Sequence, residues 1–556
     1  MPEFQGRRDP VQFDFAPYAD RWIAILRGRI IAQGLTRQQA LLASQKSRHK
    51  ETPLIRFIPA MEPHTLLALL DQFRPAFPTD LSIYVVGGAV RDHLLGRPIH
   101  DLDFALPGDG IPVGRAVAKY LGADYFPLDD ERGTARVILT RADGTRLSLD
   151  FAALRGPDLE SDLRARDFTI NALALDARDP ENVFDPLGGA LDLREKRIRA
   201  CSPASLTDDP IRILRAIRLA AGLGFGIDPG TRALMRAAIP GMGSVSPERK
   251  RDELLRILGG RHPATSLRAL EMLGLLPALF PELAALKGVT QSPPHIYDVW
   301  EHTLATLREL ETVLQFIGAK VHNPKAAASL ALGLLSLRLG RYRPEIHQHL
   351  EDELVPDRRW RALLFLAALY HDAGKPAWRT VDADGRIRFL GHEEESAKLL
   401  GKRARALKLS NDEIIRLKAI ARNHMRPHHL AATEKSPSRR ATYRFFRDTR
   451  EAGVDVCLLS FADVLATYGP TVPQEIWKNY LDLNRHLLEN WWERPEETVK
   501  PPALVTGHDL IEKFSLAPGP QIGELLEAIR EAQAAGEVSD RDQALALVAG
   551  LLEGKG

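Results

Sequence analysis

Val85-Val86-Gly87-Gly88-Ala89-Val90-Arg91-Asp92, then Gly96, then Asp101-Leu102-Asp103, is the stretch on which the reading of this chain turns. An apolar strand runs into two glycines and a helix begins. Glycines let the backbone approach a triphosphate closely, and free N–H groups at a helix start bind its oxygens. Asp101 and Asp103 stand two apart on a strand, so both side chains leave the same face. Two close carboxylates repel unless a cation sits between them, and hard oxygen ligands of this kind suit Mg²⁺. A pair of such ions can activate an attacking hydroxyl and stabilise a departing pyrophosphate. Asp150, on a later strand, is a candidate third carboxylate. Alone, Gly-Gly is a tight turn and Asp-x-Asp a solvated edge; at this spacing the two together point to a metal-dependent triphosphate site.

Around this stretch, residues 61–193 alternate between helix and strand patterns. Leu66–Phe73, Ala89–Leu95 and Val113–Leu121 read as helices. Ser82–Val86, Asp101–Ala105, Arg136–Leu139 and Arg146–Phe151 read as strands, the last two joined by the hairpin signal Asp143-Gly144. A mixed-sheet head follows. Residues 1–60 read as a small separate unit: Trp22–Ala32 gives two short strands around Arg27-Gly28, Thr36 caps a helix to about Ser47, and Leu54–Ile58 is a further strand. From 194 onward helical periodicity dominates: a neck over 194–290, longer His-rich helices over 291–490, and a helical tail over 500–556 behind Pro501-Pro502. The fold class is α+β.

The 556 residues exceed one ordinary domain. No run of about 18 apolar residues occurs to span a bilayer, and MPEFQGRRDP lacks the apolar core of a signal peptide. Only Cys201 and Cys457 are present, which fits a reducing cytoplasm. A net charge of +2 excludes a uniformly basic nucleic-acid binder, yet Arg194–Arg256 holds 13 Lys/Arg against 7 Asp/Glu. That stretch is either a phosphate-contacting stripe or a solvated helix surface.

These residues resemble the class II tRNA nucleotidyltransferases, the group of bacterial CCA-adding enzymes and poly(A) polymerases, whose head belongs to the DNA polymerase beta superfamily. The resemblance runs through about residues 60–280. It implies that Gly87, Gly88, Arg91, Asp92, Asp101 and Asp103 form the metal-binding motif, with Asp101 and Asp103 on two Mg²⁺ and Asp150 completing the catalytic set. Arg166-Asp167-Phe168-Thr169-Ile170-Asn171-Ala172 matches the motif that handles ribose; it opens on Ala165 where the family carries a second arginine. Asp185–Leu193 matches a hinge motif. Asp208-Asp209-Pro210-Ile211-Arg212 matches the motif that reads the base with protein side chains, with Asp208 where glutamate is usual, and Arg215 and Arg218 follow toward the triphosphate. Glu248–Leu254 matches a neck motif of orienting charge. The implied nucleotide-binding set is Gly87, Gly88, Arg91, Arg166, Asp167, Asn171, Asp208, Asp209, Arg212, Arg215 and Arg218. The implied reaction joins CTP or ATP to the tRNA 3′-hydroxyl. CCA synthesis is the first expectation, A-only or CC-only addition the next, and poly(A) synthesis after these. A phosphohydrolase with a relic head, or a non-catalytic RNA adaptor, would leave the Asp101/Asp103 pair without purpose.

His302, His371-Asp372, His392, His424 and Asp463 sit on otherwise apolar helices. Adjacent His and Asp at a helix end can both ligate a metal, and water bound there is activated to attack phosphorus. Tyr370–Pro376, Gly391-His392, Asn423–Pro427 and Phe461–Asp463 resemble the HD phosphohydrolase superfamily, which implies a divalent metal held by those six residues. His295, His322, His347, His349, His428 and His429 fall outside the pattern and read as surface or core. Arg439–Arg450 interleaves basic and aromatic residues; an inward-packed helix accounts for it better than base stacking. The tail from Gly507 through Gly523 resembles the same enzymes' tRNA-gripping region.

Overall fold

The computed structural model describes residues 21–26, 29–34, 37–45, 53–58, 66–141, 145–318, 329–433 and 436–553. The Arg27-Gly28 and Asp143-Gly144 turns, the Thr36 cap, the MPEFQGRRDP segment and His322 lie outside the described residues. The chain divides into two compact units, Met1–Ser205 with Gly226–Thr231, and Leu206–Phe225 with Arg232–Gly556.

In the first unit, β1 (Arg21–Leu26) pairs antiparallel with β2 (Arg29–Gly34) and with β3 (Leu54–Ile58), beside the helix Arg37–Gln45. The main sheet holds β4 (Tyr84–Val86), β5 (Asp101–Leu106), β6 (Asp124–Asp129), β7 (Thr134–Thr140), β8 (Arg146–Ala153), β9 (Ala174–Asp176) and β10 (Val183–Phe184). Their order is β10-β9-β4-β5-β8-β7-β6, with β5 and β8 parallel and the remaining pairs antiparallel. The mixed sheet is therefore the one read from the sequence, with three further strands. β6 escapes a sequence reading because Pro127 and a mostly exposed DYFPLD do not alternate; it is an edge strand, where proline is tolerated. β9 and β10 are three and two residues long, too short for periodicity to register.

Alternation fixes which face of the sheet works. Leu102, Phe104, Leu147, Leu149 and Phe151 are fully or almost fully buried. Phe104 and Phe151 stack with ring centroids 4.7 Å apart, and Phe77 meets Phe104 edge-on at 5.5 Å. The intervening polar residues of β5 and β8 are thereby turned to the opposite face.

The second unit is helical. Ala452–Tyr468 is its central helix, buried along nearly its whole length. By length and composition Ala452–Thr471 passes for a membrane span, but 89% of that window is inside the protein, and it carries Asp455 and Asp463. Val299–Ile317 packs alongside it, with Trp360–Tyr370, His392–Ala406 and Asn411–Asn423 around them. The tail is three helices, Gly507–Phe514, Pro520–Ala535 and Arg541–Glu553, around their own core of Leu510, Leu525, Ile529 and Val548.

Candidate functional site

In the head, the parallel register of β5 and β8 sets Asp103 directly beside Asp150 and Asp101 beside Ser148. Three carboxylates thus share one face. Arg136 of β7 grips Asp150 with two 2.8 Å hydrogen bonds. Those bonds, with added attraction from Asp101 and Asp103, raise the guanidinium's pKa above its ordinary value. Gly87 follows β4 at φ +76°, and a Cβ there would stand 3.1 Å from Asp103 Oδ2 and 3.2 Å from Arg166 Nη1. Only glycine leaves that space open. An all-oxygen donor set beside a cleared cradle fits a hard divalent cation.

A hydrogen-bonded chain runs behind this face. Arg91 is held by both oxygens of Asp92 and donates to Asn171 Oδ1 at 2.7 Å. Asn171 donates to Asp167 Oδ1 at 3.0 Å, and the same oxygen accepts the Phe168 N–H. Arg166 is bonded twice to the buried Asp162. Arg91 and Arg166, expected on phosphates, are therefore anchored by carboxylates within the head. The hinge motif is also a structural node: Asp185 caps the helix Gly189–Arg194, and fully buried Asp192 accepts bonds from Thr169, Arg197 and Arg199.

The base-reading segment lies in the second unit. Asp208 is exposed, and Asp209 is half-buried between Arg212 at 3.9 Å and Arg249 at 2.7 Å. Arg215 is half-buried on the helix Arg212–Leu223. Arg218, expected to follow toward the triphosphate, is instead bonded to buried Glu253 at 2.7 Å. The neck motif orients charge between helices, through Arg249 and Glu253, in addition to the pairing within its own helix that its sequence suggests.

The second unit also gathers all six His/Asp residues. His302 Nε2 lies 2.9 Å from Asp463 Oδ1 and 3.6 Å from Asp372 Oδ2. His371 Nε2 is 3.2 Å from Asp372 Oδ2, and His392 Nε2 is 3.1 Å from Asp372 Oδ1. His424 Nε2 stands 3.3 Å from His392 Nε2 and 3.6 Å from Asp372 Oδ1. Two metal-competent trios result, His302/His371/Asp372 and Asp372/His392/His424, all buried and sharing Asp372.

The outer shell prepares these rings. The Nδ1 atoms of His371, His392 and His424 lie 2.7–2.8 Å from the carbonyls of Ala368, Phe389 and Ala421, each three residues back. Donation there leaves each Nε2 lone pair facing the centre, the arrangement that orients metal-binding histidines. His371 Nε2 and Asp372 Oδ2 are buried without a directed hydrogen bond. The donors fit a divalent transition metal. Burial pushes His424 down to about 4. Burial would raise the Asp372 carboxyl, but the charges of His371 and Lys375 hold it well below the usual range.

Two neighbours went unassigned in the sequence. Lys375 Nζ lies 2.7 Å from Asp372 Oδ2, and His428 Nε2 lies 2.7 Å from Asp463 Oδ2, with its Nδ1 2.6 Å from the Tyr480 hydroxyl. The sequence alone gives His428 as an ordinary surface or core residue; helix Arg426–Thr433 brings it to Asp463. His295 also comes close, its ring 5.1 Å from that of His302, and burial lowers it to about 3. The Arg439–Thr449 helix packs Tyr443, Phe445 and Phe446 inward and pairs Arg440 and Arg444 with Glu531 of the tail. That is the inward-packed reading.

Four family models match this chain. Residues 83–199 match the poly(A) polymerase head domain, 224–287 the RNA and SrmB-binding site of polymerase A, 329–468 the HD domain and 485–549 the tRNA nucleotidyltransferase domain 2. An A-adding tRNA nucleotidyltransferase of Deinococcus radiodurans is 34% identical over 85% of this chain and 96% of its own length. A CC-adding tRNA nucleotidyltransferase of Thermus thermophilus is 34% identical over 85% and 94%. A multifunctional CCA protein of Xanthomonas campestris is 42% identical, over 38% of this chain and 53% of its own length. The fold matches a CCA-adding enzyme solved with CTP, with a TM-score of 0.54 at 22% identity over 88% of this chain and 99% of that one.

Proposed function

This chain belongs to the tRNA nucleotidyltransferase family, and we propose that it adds CMP and AMP to the tRNA 3′ end from CTP and ATP without a nucleic-acid template. The observation that carries the reading is the in-register set of Asp101, Asp103 and Asp150 beside the space that Gly87 leaves open. Asp101 and Asp103 hold Mg²⁺, which supplies Lewis acidity at the attacking hydroxyl and the departing pyrophosphate. Arg136 keeps Asp150 in place and offsets its charge. Gly87 and Gly88 let the triphosphate approach the backbone. Asp167, held by Asn171, which Arg91 anchors in turn, takes the ribose, and Arg166 stands by the phosphates. Asp208, Asp209 and Arg212 read the base, with Arg249 fixing Asp209; Arg215 adds positive charge for the triphosphate, while Arg218 positions the helix through Glu253. The proposed domain organisation has five parts, dividing at about residues 60, 193, 290 and 490–500, and the proposed site of action is the cytoplasm.

The His302/His371/Asp372/His392/His424/Asp463 centre is a divalent-metal phosphohydrolase. His302, His371, Asp372, His392, His424 and Asp463 would hold the metal, which would supply an activated water, and Asp372 belongs to both trios that could hold it.

Purified protein incubated with tRNA lacking one, two or three terminal nucleotides, with labelled CTP or ATP, tests the first reading. Completion of all three ends supports CCA synthesis. A second reading, A-only or CC-only addition, is favoured because the relatives that match along their whole length carry those activities in their names. Labelling restricted to one nucleotide would establish it, and long A tracts on arbitrary RNA would point to poly(A) synthesis.

A further inference from the structure

Asp372, His392 and Asp463 of the His/Asp centre, with His428, line a cavity of about 330 Å³. Its rim is a β-hairpin, in which Thr380–Val381 pairs with Ile387–Arg388, pinned by the Ile387 N–H on Ser292 Oγ at 2.8 Å. The charged groups facing this space are Lys375, Arg386 and Arg388 against Asp372, Asp463 and Glu393. Lys375 is committed to Asp372 and to Gln291 Oε1, 2.7 Å from each, and its ammonium lies over the Phe389 ring. Arg388 is paired with Asp382. The Arg386 guanidinium alone among these cations has neither a hydrogen bond nor an ion pair among the described residues.

A planar guanidinium with all its donors available, in the wall of a cavity whose deepest carboxylates are metal ligands, is suited to phosphate oxygens. The cavity is at the small end of ligand sites, which run from roughly 300 to 1,000 Å³, so it takes one nucleotide-sized group. Phe389, Leu390, Met425 and Tyr468 give that group an apolar and aromatic lining. Building on the phosphohydrolase reading of this centre, we infer that Arg386 is a substrate-binding residue that grips a phosphate oxygen of a single nucleoside phosphate and delivers it to the His/Asp cluster. Arg386 forms and breaks no covalent bond; it donates charge-assisted hydrogen bonds and leaves water attack to the metal centre.

Calorimetric titration of the full chain with adenosine 3′-phosphate reads this contact without turnover. Arg386→Ala weakens the Arg386-dependent binding by about 10- to 100-fold, as loss of a hydrogen bond to a charged group requires. Arg386→Lys, which keeps the charge and loses the fork, falls between the two. Melting temperature and bound-metal content stay at wild-type values. With 2′,3′-cyclic AMP as substrate, the loss falls on KM while kcat holds within about threefold. Equal affinity in wild type and Arg386→Ala, or no binding by wild type at all, overturns the inference. Arg386-dependent binding with no hydrolysis under any divalent metal keeps the inference and removes the phosphohydrolase reading instead.

Discussion

A single added methyl at residue 87 would meet Asp103 Oδ2 at 3.1 Å and Arg166 Nη1 at 3.2 Å, on a backbone at φ +76° and ψ −135°. That backbone region belongs to glycine and costs any other residue about 1–3 kcal/mol. Gly87→Ala therefore lowers the melting temperature and, by pushing Asp103 and Arg166 apart, cuts nucleotide incorporation by more than the stability loss explains. Thermal melting alongside single-turnover incorporation checks both; unchanged incorporation in a folded variant would show that the gap beside Asp103 is not used. This residue, like Asp101 and Asp103, was legible because spacing along one strand and one turn determines the geometry. Arg218 was not: its partner Glu253 lies 35 positions away, and only the packing of two helices reveals that its charge is already committed. His428 escaped for a related reason. A histidine with no motif around it looks ordinary until a helix turn brings it to Asp463.

At the level of elements, the main helices and the strands β4, β5, β7 and β8 followed from periodicity, while the strand order did not, and the misses in the sheet are the non-alternating edge strand β6 and the very short β9 and β10. What the sequence could not supply is the tie between elements. Asp192 joins the helix Gly189–Arg194 to Thr169 and to Arg197 and Arg199. Burial alone would raise its pKa, but the Thr169 hydroxyl and the two guanidiniums outweigh burial and hold the carboxyl below its ordinary value. A carboxyl depressed in the folded state adds stability above its unfolded pKa of about 3.9, and that contribution fades as pH falls through the folded value. The melting-temperature gap between wild type and Asp192→Asn should be widest near neutrality and narrow below about pH 4. A gap that stays constant or widens on acidification would remove the assigned role. Glu531 makes a second tie, reaching Arg440 at 3.2 Å and Arg444 at 2.5 Å. Both arginines are substantially exposed, so each pair is worth at most about 1 kcal/mol. Glu531→Lys should destabilise the junction between the Arg439–Thr449 helix and the tail more in low salt than in high. Combination with Arg444→Glu should recover part of the loss; equal destabilisation at both salt concentrations would argue for packing in place of charge.

For the whole molecule, the decisive fact is that the two clusters of chemistry are built in separate compact units from different donors. Asp101, Asp103 and Asp150 present oxygen only and sit on a sheet face; the His/Asp centre is imidazole-rich and buried among helices. Donor type separates the two sites: an all-oxygen set suits a hard divalent cation and an imidazole-rich set a softer one. Asp101→Asn should therefore abolish CMP and AMP incorporation, a loss of several kcal/mol of barrier lowering and hence about a thousandfold or more. It should leave 2′,3′-cyclic phosphate hydrolysis and bound transition metal unchanged. Asp372→Ala should do the reverse, because it removes the carboxylate shared by both buried trios while leaving the sheet face intact. The two assays on each of the two variants give four readings that must fall on this diagonal, and metal analysis of each variant checks the cause. If Asp372→Ala cost as much incorporation as hydrolysis while the protein stayed folded, the centres would be energetically coupled and the division of labour argued from their donors would not hold.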